Sequence, residues 1–182
     1  MHNTLINILR KLIDKFDFTK NQLDQLTGTW NKNIFTRFIE KQQLEIQKDG
    51  KPFTLVYFDI DNFVEVNEKY SHDAGDYILK EVLKVFKTYL REYDSISRWG
   101  GVKFLMLFPE TTKVECTTLI KNLDDIINQK VYKYKDFEIK TSCTFGIYEA
   151  KENESIKEII ENTDKLLYKE KALKKKTYKN SF

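Results

Sequence analysis

Two acidic residues, Asp59 and Asp61, directly follow a run of aromatic and β-branched residues at positions 53–58. Such a run predicts a buried strand that delivers both carboxylates at its C-terminal end. The carboxylates and the Ile60 carbonyl between them are oxygen ligands of the kind that Mg²⁺ takes together with substrate phosphates. The same residues are also typical of a solvated turn or a helix cap, since Asn62 follows. The tripeptide alone leaves both interpretations open.

A second candidate site is the glycine pair Gly100 and Gly101, which separates apolar runs at 95–99 and 103–108. Two strands joined by a two-glycine turn are a strong hairpin signal. Glycine also allows a backbone to approach a phosphate closely. The pair therefore fits either a tight hairpin or a phosphate-binding loop.

The elements that would position these residues can be predicted from periodicity and caps. Asn31 is expected to cap a helix that ends near Gly50, and Ser155 with Glu158 forms a capping box that begins the last helix. The remaining predictions are helices over 74–91 and 113–129 and strands over 131–134 and 137–148. Strands on both sides of a hairpin, with helices between them, predict an α+β fold in which helices flank a mainly antiparallel sheet.

The N-terminal segment, residues 1–18, has apolar residues at helical spacing among lysines and aspartates. This pattern predicts an amphipathic helix that could pack on the body, dimerise or hold a protein partner. We therefore divide the chain into an N-terminal helix and connector, residues 1–23, and one domain, residues 24–182.

Composition limits the classes of function. The 182 residues carry 31 basic and 28 acidic side chains, so the net charge of +3 gives no general reason to expect nucleic acid. The lysines of the C-terminal run are expected on a solvated helix face. Two cysteines suit a reducing cytoplasm, and the sequence has no apolar run of 18 residues that would predict a membrane span.

Four blocks of the sequence resemble, in order and spacing, the GGDEF family of diguanylate cyclase domains over about residues 24–176. They are Asp24-Gln25-Leu26-Thr27-Gly28 with Asn31, Phe58 to Phe63 followed by Asn67, His72, Gly75 and Asp76, Ser142 to Ile147, and Asp164 to Lys171. The resemblance implies a palm-like, nucleotidyl-cyclase-like domain. In that family two GTP molecules, one on each of two facing domains, are joined into cyclic di-GMP.

The resemblance also implies roles for individual residues. Asp59 matches the metal ligand of the family, with the Ile60 carbonyl beside it. The nucleotide site would comprise the guanine-reading pair and the phosphate-binding positions, namely Asn67, Asp76, Gly100, Gly101, Lys171 and Lys175. At the last of these the family usually has arginine, and lysine lacks the bidentate geometry of arginine.

The family signature itself is broken, because the chain reads Gly100-Gly101-Val102-Lys103-Phe104. Val102 replaces a carboxylate that ligates metal and is assigned to activating the attacking hydroxyl, and Lys103 replaces a second carboxylate. Loss of a general base costs about 10² to 10⁴ in rate. If Lys103 points inward, its ammonium would add repulsion of several kcal/mol to a divalent ion, and the alternative is that Lys103 turns to solvent, since neighbouring strand residues face opposite ways. No catalytic residue is therefore intact, and Mg²⁺ binding is expected to be weakened.

A regulatory motif of the family is present. Arg91 and Asp94 match its R-x-x-D motif, which binds cyclic di-GMP, and Arg98 also fits that site. The alternative is an Arg and an Asp that close a helix C-terminus.

These expectations combine into one predicted function. The chain is expected to be a catalytically impaired GGDEF signalling module of the cytoplasm, homodimeric or bound to a partner. It would bind cyclic di-GMP at Arg91 and Asp94, GTP at the vestigial active site, or both. The alternatives are an active or weak diguanylate cyclase, a nucleotide hydrolase that reuses Asp59, and a dimerisation scaffold.

Overall fold

The computed structural model describes residues 22–179, with side chains through residue 176. Within that range the elements are α1 (Lys32–Asp49), β1 (Phe53–Ile60), α2 (Phe63–Lys69), α3 (His72–Tyr89), β2 (Ser95–Gly100), β3 (Lys103–Pro109), α4 (Lys113–Gln129), β4 (Tyr132–Tyr134), β5 (Phe137–Ile139), β6 (Cys143–Glu149) and α5 (Ile156–Lys179). The helix predicted over residues 1–18 lies outside the described residues.

The main sheet has the strand order β2-β3-β1-β6, and each neighbouring pair is antiparallel. Strands β4 and β5 form a separate two-stranded ribbon. Helices cover both faces of the main sheet, so the predicted α+β fold with a flanked, mainly antiparallel sheet is confirmed. The central strand β1 is hydrogen-bonded on both sides, and it ends at the candidate acidic site.

Strand β1 forms the centre of the core, and all eight of its residues are buried. Alternate side chains enter two apolar clusters. Phe58 packs on one face against Phe86 of α3, with ring centroids 4.5 Å apart, and stacks on Phe104 of β3 at 5.1 Å. Tyr57 enters the other cluster, which α1 and α5 cover. Burial on both faces explains why this strand reads as a continuous apolar run without alternation.

The predicted helix starts are confirmed by their caps. Asn31 Oδ1 accepts a hydrogen bond of 3.0 Å from the Ile34 N–H at the start of α1. The Ser155 hydroxyl oxygen accepts from the Glu158 N–H at 3.2 Å, and the Glu158 carboxylate accepts from the Ser155 N–H at 2.8 Å. Both ends of the capping box are therefore satisfied.

Two local predictions differ from the structure. Helix α2 was not expected, because it has seven residues and buries only Val66, so it has too few apolar positions to show a period. The strand predicted over 137–148 is interrupted at residues 140–142, where the Asp61 N–H donates to the Ser142 carbonyl at 2.9 Å. The chain there passes from the β4–β5 ribbon into the main sheet.

Gly146 of β6 lies directly against α5, and this contact fixes the helix that carries the lysines of the site. A Cβ at Gly146 would lie 2.3 Å from Leu167 N and 2.5 Å from Thr163 O. Because both atoms belong to the helix backbone, we expect Gly146→Ala to lower the free energy of unfolding by about 3 kcal/mol.

The matched control is Gly50→Ala, because Gly50 has open space around its Cα. Its left-handed φ of 66° should make that substitution cost only about 1 kcal/mol. Urea unfolding of the two variants measures the difference. Equal losses would contradict a close approach of α5 at Gly146.

Candidate functional site

Asp59 lies at the end of β1, paired in register with Lys103 of β3 and Thr144 of β6. Its side chain is 7% exposed, and its Oδ2 is 2.5 Å from Nζ of Lys171 on α5. Burial raises the pKa of Asp59, although the ammonium groups of Lys171 and Lys103 oppose that shift. The carboxylate expected to ligate metal is thus already bound by an ammonium group.

Asp61 is held by three donors. Its Oδ1 accepts from the Thr144 hydroxyl at 2.6 Å, and its Oδ2 accepts from the Ser142 hydroxyl at 2.6 Å. Nζ of Lys174 lies 3.0 Å from the same Oδ2. Burial alone would raise the pKa of Asp61, but these hydrogen bonds and the lysine charge outweigh it and lower the pKa. Asp61 is therefore an ionised group that other side chains of the protein already satisfy.

The expected solvated face of C-terminal lysines is confirmed at Lys175 and Lys176, which are exposed, but not along the whole run. Lys165 and Lys169 are exposed, as predicted, but Lys171 and Lys174 each bind an aspartate. The sequence signal for this cluster of lysines is helical spacing. Residues 171, 174 and 175 lie on one face of a helix. They line a cavity of about 530 Å³ bordered by Ile60, Asp61, Asn62, Ser142, Thr144, Lys171, Lys174, Lys175 and Lys176.

Val102 and Lys103, which stand where the family has carboxylates, lie in different surroundings. Val102 is partly buried against the apolar cluster beneath α3 and α4. Lys103 lies on the same sheet face as its register partner Asp59, with Nζ 3.5 Å from Asp164 Oδ1 and 5.6 Å from the Tyr57 ring centroid. Neither position supplies a carboxylate to the space beside Asp59.

The ammonium group that binds Asp59 opposes a Mg²⁺ ion at this position. Among the described residues there is no group of three or more His, Cys, Asp or Glu side chains that could hold a metal. A divalent ion about 4 Å from an ammonium group is repelled by about 8 kcal/mol at an effective dielectric constant near 20. A metal at Asp59 would have to displace Lys171 first.

Asn67 of α2 lies against Gly75 of α3, the residue before Asp76. A Cβ at Gly75 would lie 2.0 Å from Asn67 Oδ1, so a larger residue there would have to displace the Asn67 side chain. That oxygen is buried and has no hydrogen-bond partner within the described part of the chain. A buried acceptor without a donor is rare in proteins and suits a ligand that brings N–H groups. The structure thus places Asn67 against the residue that precedes Asp76.

Arg91 and Asp94 form a tight turn after α3. The Arg91 N–H donates to Asp94 Oδ2 at 2.8 Å, which agrees with the helix-closing interpretation of the motif. Asp94 Oδ1, however, is buried and has no partner among residues 22–176, and burial raises the pKa of this carboxyl. Among the side chains of residues 22–176, the Arg91 guanidinium hydrogen-bonds only to the exposed Tyr93, whose hydroxyl lies at 3.3 Å. Both residues border a cavity of about 460 Å³.

Arg98 makes a contact that sequence reasoning missed. Its Nη1 lies 3.3 Å from both carboxylate oxygens of Asp24, and its Nε donates to the Gly101 carbonyl at 2.8 Å. Arg98 therefore ties the opening segment of the domain to the glycine turn. Thr27 also donates to Asp24, and although burial opposes ionisation, these contacts lower the pKa of Asp24.

Across residues 22–179, no helix combines the length and the apolar character needed to cross a membrane.

The sequence is similar to curated diguanylate cyclases. It is 30% identical over 148 residues to diguanylate cyclase DgcP of Pseudomonas aeruginosa, covering 81% of this chain and 22% of that protein. It is 29% identical over 158 residues to DgcS of Shewanella oneidensis, covering 87% of this chain and 52% of that one. The chain thus spans between about a fifth and a half of the length of these relatives.

Solved structures share the fold. The coiled coil and GGDEF domain of DgcB from Caulobacter crescentus, in complex with c-di-GMP, superposes with a TM-score of 0.84 at 22% identity, covering 94% of this chain and 91% of that one. Diguanylate cyclase SiaD of Pseudomonas aeruginosa, in complex with its activator SiaC, gives 0.80 at 24% identity, covering 93% and 66%. The family model for the diguanylate cyclase GGDEF domain matches residues 21–177. The chain therefore belongs to the GGDEF domain family of cyclic di-GMP signalling.

Proposed function

We propose that this domain is a catalytically impaired GGDEF module that binds guanine nucleotides without joining them. Diguanylate cyclases of this family generally use Mg²⁺. The proposal is supported mainly by the position at which the family binds metal. There Lys171 binds Asp59, and Val102 offers no carboxylate. Calorimetry with cyclic di-GMP and GTP, combined with an assay of product formation, tests it.

The first proposed ligand is cyclic di-GMP at Arg91 and Asp94. The buried, unpartnered Asp94 Oδ1 is an acceptor suited to the N–H groups of a guanine edge. The exposed Arg91 guanidinium is a planar fork suited to phosphate or to the acceptors of a purine. Support also comes from the neighbour DgcB, whose structure contains c-di-GMP.

The second proposed ligand is GTP at the vestigial active site. Asn67 Oδ1 is buried without a donor, and Asp76 follows the glycine on which Asn67 packs. Lys171 and Lys175 border the cavity that would take the phosphates. In this arrangement the guanine would be read by Asn67 and Asp76, and the phosphates would depend on lysines.

GTP is expected to bind measurably, with an affinity that falls steeply as the salt concentration rises from about 50 to about 300 mM. Asp76→Ala should weaken GTP binding by about tenfold, because it removes an acceptor for the guanine edge. Asp73→Ala is the matched control, since Asp73 is exposed in the first turn of the same helix. Salt-independent binding, or equal effects of the two variants, would contradict this site.

The competing function is catalysis. The curated relatives DgcP and DgcS are named diguanylate cyclases, which favours an active or weak cyclase as the second candidate. A nucleotide hydrolase that reuses Asp59 would need that carboxylate to release Lys171.

We also propose that residues 1–23 form a separate N-terminal element that holds a second copy or another protein, with residues 24–182 as the degenerate GGDEF domain. Support comes from SiaD, whose structure contains an activator protein. A purely structural dimerisation role would not explain the buried acceptor oxygens of Asn67 and Asp94, which have no hydrogen-bond donor in the described part of the chain.

A further inference from the structure

Each of the two carboxylates that follow β1 is bound by an ammonium group from α5. Lys171 Nζ lies 2.5 Å from Asp59 Oδ2, and Lys174 Nζ lies 3.0 Å from Asp61 Oδ2. We propose that these two lysines take the place of a divalent cation, so that the adjoining cavity binds the triphosphate of a nucleotide without metal and Mg²⁺ weakens the binding. This inference rests on the proposed binding of GTP at the same site.

Lys174 is held in a fixed position at the edge of the cavity. Its ammonium donates to Asp61 Oδ2 and, at 2.5 Å, to the Cys143 carbonyl. The Ser142 and Thr144 hydroxyls hold the same aspartate from the other side. An ammonium has three donors, so one N–H of Lys174 remains for a ligand. With 37% of its side chain exposed, the lysine can present that donor to the cavity.

The charge of the cavity favours a polyanion. Its lining contains four lysines, at positions 171, 174, 175 and 176, against one aspartate, Asp61. Even with Asp59 counted as the partner of Lys171, and with Asp124 counted because its charge interacts with Lys174, the ammonium groups outnumber the carboxylates by one. A triphosphate chain places several negative charges within a few ångströms of one another, and its charge complements this cluster. The cavity volume of about 530 Å³ leaves room for such a chain.

Mg²⁺ acts against this arrangement in two ways. On the triphosphate, the ion neutralises charge that the lysines would otherwise attract. In the cavity, the ion would approach two carboxylates that already bind ammonium groups, and Lys171 and Lys174 would repel it. The metal-free triphosphate is therefore the better ligand.

The experiment measures binding of GTP and of inorganic triphosphate to the full chain by calorimetry, in excess EDTA and in about 5 mM MgCl₂. Both compounds are expected to bind in EDTA, and Mg²⁺ should weaken each affinity at least threefold. Lys174→Gln should weaken binding of inorganic triphosphate in EDTA by about tenfold. Lys169→Gln is the control, because Lys169 is exposed on the same helix and does not line the cavity.

A second variant tests the same cavity in case Lys174→Gln does not fold. Lys175→Gln changes an exposed lysine of the same cavity and should also weaken triphosphate binding by several-fold, with an unchanged melting temperature. Affinity that Mg²⁺ leaves unchanged or raises overturns the inference, and so do equal losses in Lys174→Gln and Lys169→Gln. GTP binding that requires Mg²⁺ overturns it but leaves the proposed GTP site standing. Absence of binding in both buffers overturns both, while cyclic di-GMP binding at Arg91 remains a separate measurement.

Discussion

Purified protein incubated with GTP and Mg²⁺ or Mn²⁺ is expected to form cyclic di-GMP at less than a hundredth of the rate of an intact diguanylate cyclase. Loss of a positioned general base alone costs about 10² to 10⁴ in rate, and Val102 stands where the family has that carboxylate. The Asp59 carboxylate is engaged by Lys171, so the metal position is impaired as well. The metal defect comes on top of the loss of the base, so the rate is expected to fall further than the loss of the base alone would lower it.

Chromatography of the reaction products over time checks this expectation, with the relative DgcS assayed in parallel. The double substitution Val102→Glu with Lys103→Glu is expected to recover part of the activity, because it returns carboxylates to the turn beside Asp59. Linear formation of cyclic di-GMP by the wild type at a rate near that of DgcS would contradict the proposed impairment. Release of GDP and phosphate that Asp59→Asn abolishes would instead support the hydrolase alternative.

The sequence predicted the main elements of this fold because their signals are local. The run at 53–58 has the composition of a buried strand, and the caps at Asn31 and Ser155 lie within three residues of their partners. Helix α2 was missed for the same reason, since seven residues with one buried position contain no period. Prediction thus succeeded where one short segment held the whole signal.

The candidate site was predicted in its residues but not in its pairings. The family resemblance identified Asp59 and Lys171, which lie 112 positions apart, but not the ion pair between them. The Arg98–Asp24 and Lys174–Asp61 contacts likewise join residues 74 and 113 positions apart. No local rule connects such residues, because their contact depends on how α5 and the opening segment pack on the sheet. The engagement of both aspartates by lysines therefore became visible only in three dimensions.

Arg91→Ala is expected to weaken cyclic di-GMP binding at least tenfold, and by about a hundredfold if the guanidinium makes two charge-assisted hydrogen bonds. Each such bond contributes about 1.5 to 3 kcal/mol, which corresponds to tenfold or more in affinity. The Arg91 side chain is exposed and its guanidinium donates to the Tyr93 hydroxyl, so its removal leaves the core intact. Calorimetric titration of wild type and variant with cyclic di-GMP measures the effect.

Three further variants test how geometry and charge contribute to cyclic di-GMP binding. Arg91→Lys keeps the positive charge but loses the planar fork, so it should restore little of the affinity. Lys175→Ala removes a charge at the other site and should leave cyclic di-GMP binding almost unchanged, because an exposed lysine contributes a screened point charge. Asp94→Ala should also weaken binding, since Asp94 Oδ1 is a buried acceptor without a partner in the described part of the chain. If the wild type releases no heat up to high micromolar cyclic di-GMP, Arg91 and Asp94 serve only to close α3, and GTP becomes the ligand to test.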